Sequence, residues 1–141
     1  MEEQLISFET AKLAKEKEFN INTKKFYYIN AKWYKDGEIG EGFSDDYWGD
    51  NTDLNWNGLD RLPIKPFSEC VSAPTQSLLQ KWLREVHHID VFIVANFIGE
   101  EKHRYSYYII INEVDIDADG AEAEIYEEAL EAGLQEALKL I

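Results

Sequence analysis

The sequence predicts an α+β fold. The expected form is a two-layer sandwich, with a sheet of at least three strands, the last two an antiparallel hairpin, carrying two to three helices on one face. Three observations lead there. SAPTQSLLQKWLREVHH and AEAEIYEEALEAGLQEALKLI repeat apolar residues three and four apart, the helical period. IDVFIVANFIG and RYSYYIIINEV are dominated by β-branched and aromatic residues and are separated only by the polar segment EEKH, the pattern of a hairpin with a loop of about four residues. A chain of 141 residues suits a single domain spanning 1–141, which should bury roughly two thirds of the surface that its unfolded form exposes.

Taken in order, the first element is a helix over 7–17. Ser7 is placed to cap it, and Ile6 and Ala11 stand where a hydrophobic staple needs them. Its core side is thin: Phe8, Ala11 and Ala14. KKFYYINAKWY, residues 24–34, reads as a strand with Tyr27, Ile29, Ala31 and Trp33 on one face. From Asp36 to Glu69 the chain holds five of its eight glycines and two of its three prolines without a trusted period, so this is a long acidic, aromatic loop. Phe43, Tyr47, Trp48, Trp56 and Phe67 argue that it folds back on the domain, because a solvated linker seldom carries such rings.

The central helix follows, with Ser72 as cap, Pro74 in its first turn, and Leu78, Leu79, Trp82, Leu83 and Val86 as its apolar stripe. The strand after it is apolar on both faces, which predicts a place in the middle of a sheet or under a second layer. In the last helix Tyr126, Leu130, Leu134, Ala137, Leu138 and Ile141 form the stripe. Gly133 costs about 1 kcal/mol relative to alanine in a helix interior, and a close crossing over a strand or another helix would explain its presence.

Charge and cysteine content narrow the function classes. With 28 acidic against 14 basic residues the formal net charge is −14, which repels nucleic acid and anionic membrane and favours a neutral or basic protein partner. The single cysteine, Cys70, permits no internal disulfide and fits a reducing cytoplasm. Neither a signal-peptide pattern nor a run of roughly 20 apolar residues is found, so a cytoplasmic protein is expected.

APTQSLLQKWLREVHHIDV, YEEALEAGLQEALKLI and, near the start, SFETAKLAKEKEF resemble a family of small uncharacterised proteins of phages and prophages of Bacteroidetes and related bacteria. The likeness covers about 50 of the 141 residues and leaves residues 36–69 outside it. It implies a phage or mobile-element setting, in the cytoplasm of the host cell, and carries over no cofactor and no site residue.

DIDADG, residues 115–120, has the first half of an EF-hand calcium loop: Asp115, Asp117 and Asp119 at alternate positions and then Gly120. The twelfth position, where a bidentate glutamate closes such a loop, is Tyr126, with Glu127 one residue late. The alternative is an acidic strand-to-helix junction with Asp119 as N-cap and a helix from Ala121. DLNWNG, residues 53–58, repeats the pattern with weaker ligands and reads as Asx-turns. His87 and His88 suit the negative end of the central helix, and His103 falls in the expected hairpin turn. No phosphate loop, zinc pattern or nucleophile motif is found.

Metal and cofactor sites are therefore not assigned. Tyr47, Trp48 and Trp56, set among Asp45, Asp46, Asp50 and Asp53, are the candidate binding residues, either as anchors for a basic protein or simply as cover for the sheet. The leading expectation is a non-enzymatic accessory or interaction protein. An acidic mimic of DNA that blocks a host nucleic-acid-binding protein is the first alternative, and a small metal-assisted enzyme the second.

Overall fold

The computed structural model describes residues 2–41, 53–61, 70–99, 102–116 and 122–141. The fold is α+β, and the described residues form three α-helices and two antiparallel sheets of three strands each. One sheet was expected. The chain forms two compact units, Leu5–Pro74 and a second made of Met1–Gln4 with Thr75–Ile141.

The N-terminal unit holds α1 (Phe8–Glu16), β1 (Lys25–Tyr28), β2 (Ile39–Glu41), a 3-10 helix over Trp56–Arg61, and β3 (Cys70–Ser72). The Ser7 hydroxyl caps α1 by accepting from the Thr10 N–H at 3.2 Å, and Thr10, Ala11 and Ala14 form its buried side. The sheet order is β2-β1-β3. Successive side chains of a strand point to opposite faces, and β1 uses both. Tyr27 packs edge-on against Phe8 of α1 at 5.7 Å, and its hydroxyl donates to the Ile6 carbonyl. Phe26 lies on the other side, in a core cluster with Trp56 and Cys70.

Gly40 pairs with Phe26, and a Cβ there would overlap the Phe26 ring, so the glycine makes room for it. The strand ends at Tyr28 rather than Tyr34, because Asn30 turns to a left-handed φ of 52°. Trp33 therefore leaves the face on which the sequence placed it. Ser72, expected to cap the central helix, is a strand residue paired with Phe26, and its N–H is taken by Asn57 Oδ1 at 2.8 Å.

The C-terminal unit holds α2 (Gln76–His87), β4 (Ile89–Ile98), β5 (Lys102–Ile111), β6 (Val114–Ile116) and α3 (Tyr126–Lys139), with sheet order β4-β5-β6. Thr75 is the cap of α2; its hydroxyl accepts from the Leu78 N–H. Gln76, Leu79, Trp82 and Leu83 are buried, while Val86 is exposed. Strand β5 already begins at Lys102, so His103 belongs to it, opposite Phe97, rather than to the hairpin turn. The β4 strand, apolar on both faces, lies at a sheet edge rather than in the middle, and a second layer, α2 and α3, packs on it.

Helix α3 begins at Tyr126, not Ala121, and Ile125 rather than Asp119 is its N-cap residue. The delay has a physical cause. The N–H and C=O of Ala123 pair with Tyr105 of β5 at 2.9 and 2.8 Å, which commits that backbone to an extended course. Tyr126 and Ile141 are exposed, and the buried stripe is Ala129, Leu130, Gly133, Leu134, Ala137 and Leu138. A close crossing accounts for Gly133: a Cβ there would stand 2.8 Å from Val91 Cγ1 and 2.9 Å from Tyr107 Cβ. This helix thus rests directly on β4 and β5.

Candidate functional site

The residues singled out from the sequence fare differently. Tyr47 and Trp48 lie outside the described residues. Trp56 is 1% exposed. Its ring packs on Phe26 at 4.3 Å and its Nε1–H donates to the Thr23 carbonyl at 2.7 Å. Both its area and its polar handle are thus spent in the core, which leaves no anchor for a partner.

The metal-like stretches are also placed. Within DIDADG, Asp115 belongs to β6, opposite Ile110, while Asp117, Asp119 and Gly120 lie outside the described residues. An EF-hand loop follows a helix, and this segment follows a strand. In DLNWNG the Asn57 side chain is taken up by the backbone: it accepts from Ser72 N–H and donates to the Phe19 carbonyl at 3.0 Å. Among the described residues no group of three or more His, Cys, Asp or Glu side chains is arranged to hold a metal ion.

His87 closes α2, and His88 follows it with a left-handed φ of 57°. The His87 ring stands edge-on to Trp82 at 4.6 Å, and its Nε2 is buried without a hydrogen-bond partner. Burial, and then the neighbouring His88, hold its pKa below the usual histidine value.

The surface feature that the sequence missed is the loop between β1 and β2, residues 29–38. Its ends are fixed by backbone pairs, in which the Tyr28 N–H donates to the Glu38 carbonyl and the Gly37 N–H to the Tyr28 carbonyl, both at 2.9 Å. Gly37 has a φ of 83°, which glycine adopts without strain. Inside the loop, Asp36 Oδ1 accepts from the Asn30 N–H at 2.8 Å, and Glu38 Oε2 accepts from the Lys35 N–H at 3.2 Å. Tyr34 stacks on Tyr28 at 4.0 Å with an interplanar angle of 5°. Burial, and then the adjacent Tyr34, push the Tyr28 hydroxyl pKa up.

This framework presents Trp33 with 82% of its surface exposed. Lys32 Nζ stands 5.2 Å from the indole centroid, within cation–π range. Lys32 to Glu38 line an open concavity beside it. Two lysines balance Asp36 and Glu38, so the loop is locally neutral in a strongly acidic chain. A large, stiff ring of this kind is an anchor-type side chain, because it offers much contact area for few rotatable bonds.

The class of molecule defined so far is an α+β chain with one fixed, exposed aromatic loop. Among the described residues no helix is long and apolar enough to cross a membrane. Compared with protein-family models, with curated proteins and with solved structures, the chain gives no match.

Proposed function

We propose that this chain is a non-enzymatic interaction protein of a phage or mobile element, acting in the host cytoplasm, that engages a neutral or basic protein through the β1–β2 loop. The observation that carries the reading is Trp33, the most exposed of the chain's large apolar residues among those described, held on a loop whose both ends are hydrogen-bonded. An indole left in water at such a fixed place gains most when a partner covers it. The phage setting rests on the sequence resemblance, and the preference for a neutral or basic partner on the charge of −14.

The test compares proteins captured from host lysate by the wild-type chain and by Trp33→Ala, with circular dichroism and melting as controls of folding. A protein captured by the wild type and lost with Trp33→Ala supports the reading. Capture of the same set by both would overturn it.

A further inference from the structure

We propose that the free edge of β4 is a docking site for an extended basic peptide, which adds to the sheet as a strand. This surface belongs to the C-terminal unit. In an antiparallel pair the residues alternate between those that bond across the pair and those whose backbone groups point away. Two observations fix the phase. Tyr105 directs both its backbone groups to Ala123, on the side of β5 away from β4, and the Asn112 N–H donates to the His88 carbonyl. The β4 residues opposite odd-numbered β5 residues, namely Val91, Ile93, Ala95 and Phe97, therefore turn their N–H and C=O groups outward.

The Gln80 side-chain amide confirms the direction, since it donates to the Val91 carbonyl. It occupies only that one acceptor. Among the described residues, no bond reaches the outward groups of Ile93 or Ala95, and Ala95 is exposed. From Val91 to Ile98 the strand has no charge, proline or glycine, so it lacks the devices that blunt sheet edges. Beside the edge, on the face opposite Gly133, Phe92 is 39% exposed and stacks on Tyr108 at 5.6 Å. An added strand would lay alternate apolar side chains next to Phe92 and Val94, with main-chain hydrogen bonds supplying affinity.

Charge decides the occupant. Residues 75–141 hold 14 acidic against 5 basic side chains. A second copy of the chain would bring like charge to like, whereas a peptide alternating lysine with valine is attracted.

Fluorescence anisotropy with a labelled, end-blocked decapeptide of alternating lysine and valine tests this. The comparison probe has every backbone amide N-methylated, which keeps the charged and apolar side chains but removes the donors on both edges of the peptide. Binding should weaken about tenfold or more with the N-methylated peptide, as expected when several hydrogen bonds are lost. A similar loss is expected with Ala95→Pro, whose missing N–H points out of the ladder and leaves the β4–β5 pairing intact. Equal binding of both peptides to the wild-type protein would overturn the proposal, whatever the fate of the variant. So would a wild-type dimer in sedimentation that Ala95→Pro converts to monomer, because the edge would then belong to a second copy.

Discussion

The two sheets have the same number of strands and are stabilised in different ways. In β2-β1-β3 the strands are three or four residues long, and backbone pairing alone would be marginal at that size. Side chains make up the difference. Trp56 bonds the Thr23 carbonyl, Asn57 is held between Ser72 and Phe19, and Tyr27 reaches Ile6. In β4-β5-β6 two strands of ten residues pair along their full length, and helices α2 and α3 supply the buried layer. The comparison teaches that the first sheet depends on a few polar and aromatic side chains, whereas the second depends on area and close backbone approach.

The largest test of this difference is Trp56→Ala. Removing a buried indole costs about 3–5 kcal/mol, and the Thr23 carbonyl also loses one of its donors, keeping the Leu54 N–H. Hydrogen exchange should show protection lost in Lys25–Tyr28 and Cys70–Ser72 while β4 and β5 stay protected. Equal loss in both sheets would mean that the chain melts as one cooperative unit, and the contrast would fail.

Gly133→Ala probes the other sheet. Alanine is the better helix former by about 1 kcal/mol, but its methyl group would meet Val91 and Tyr107 below 3.0 Å. Overpacking of this kind costs about 1–3 kcal/mol, so a lower denaturation midpoint is expected despite the propensity. A raised midpoint would show that α3 can lift off the sheet freely.

The helix caps allow a finer comparison. Thr75→Ala should cost about 1 kcal/mol in α2, and Ser7→Ala a similar amount in α1. Urea midpoints for the two variants, read by exchange at each helix, would show whether each loss stays in its own unit.

A smaller, pH-dependent contribution comes from His87. Its pKa is lowered in the folded protein, so the unfolded chain binds the proton more readily. The stability that depends on a neutral ring is present above the ordinary value of 6.5 and is lost as pH falls below it towards the folded value. Between pH 7.5 and 5.5 the wild type should lose more stability than His87→Phe. Parallel losses would show that the imidazole takes up its proton alike in the folded and the unfolded chain.

Trp33→Ala should have the least effect on stability, within about 0.5 kcal/mol, as for an exposed side chain away from the core. Its effect belongs to binding. A large drop in melting temperature would mean that the indole packs against its own chain, and the β1–β2 loop would lose its claim as a contact surface.

Helix periods, the Ser7 cap, the β4–β5 hairpin and the need for close packing at Gly133 were legible in the sequence because each depends on neighbours within a few residues or on a repeated period. The candidate site was not. Trp33 follows a run of aromatic and β-branched residues and therefore reads as strand, although the Asp36-Gly37 pair just beyond it is a hairpin-turn signal. Trp56 reads either as an anchor for a partner or as cover for the sheet, because glycine and acids surround it while its partners Phe26 and Cys70 are distant in sequence.

By itself, then, the sequence determined the α+β class, the helix phases and the acidic character of the surface, since composition and local period dictate those. Only the tertiary structure decided that there are two sheets, that β4 stands at an edge, and that Trp56 is core while Trp33 meets water. Those outcomes depend on which distant strands pair: Phe26 faces Ser72 across the sheet at a separation that no local pattern encodes.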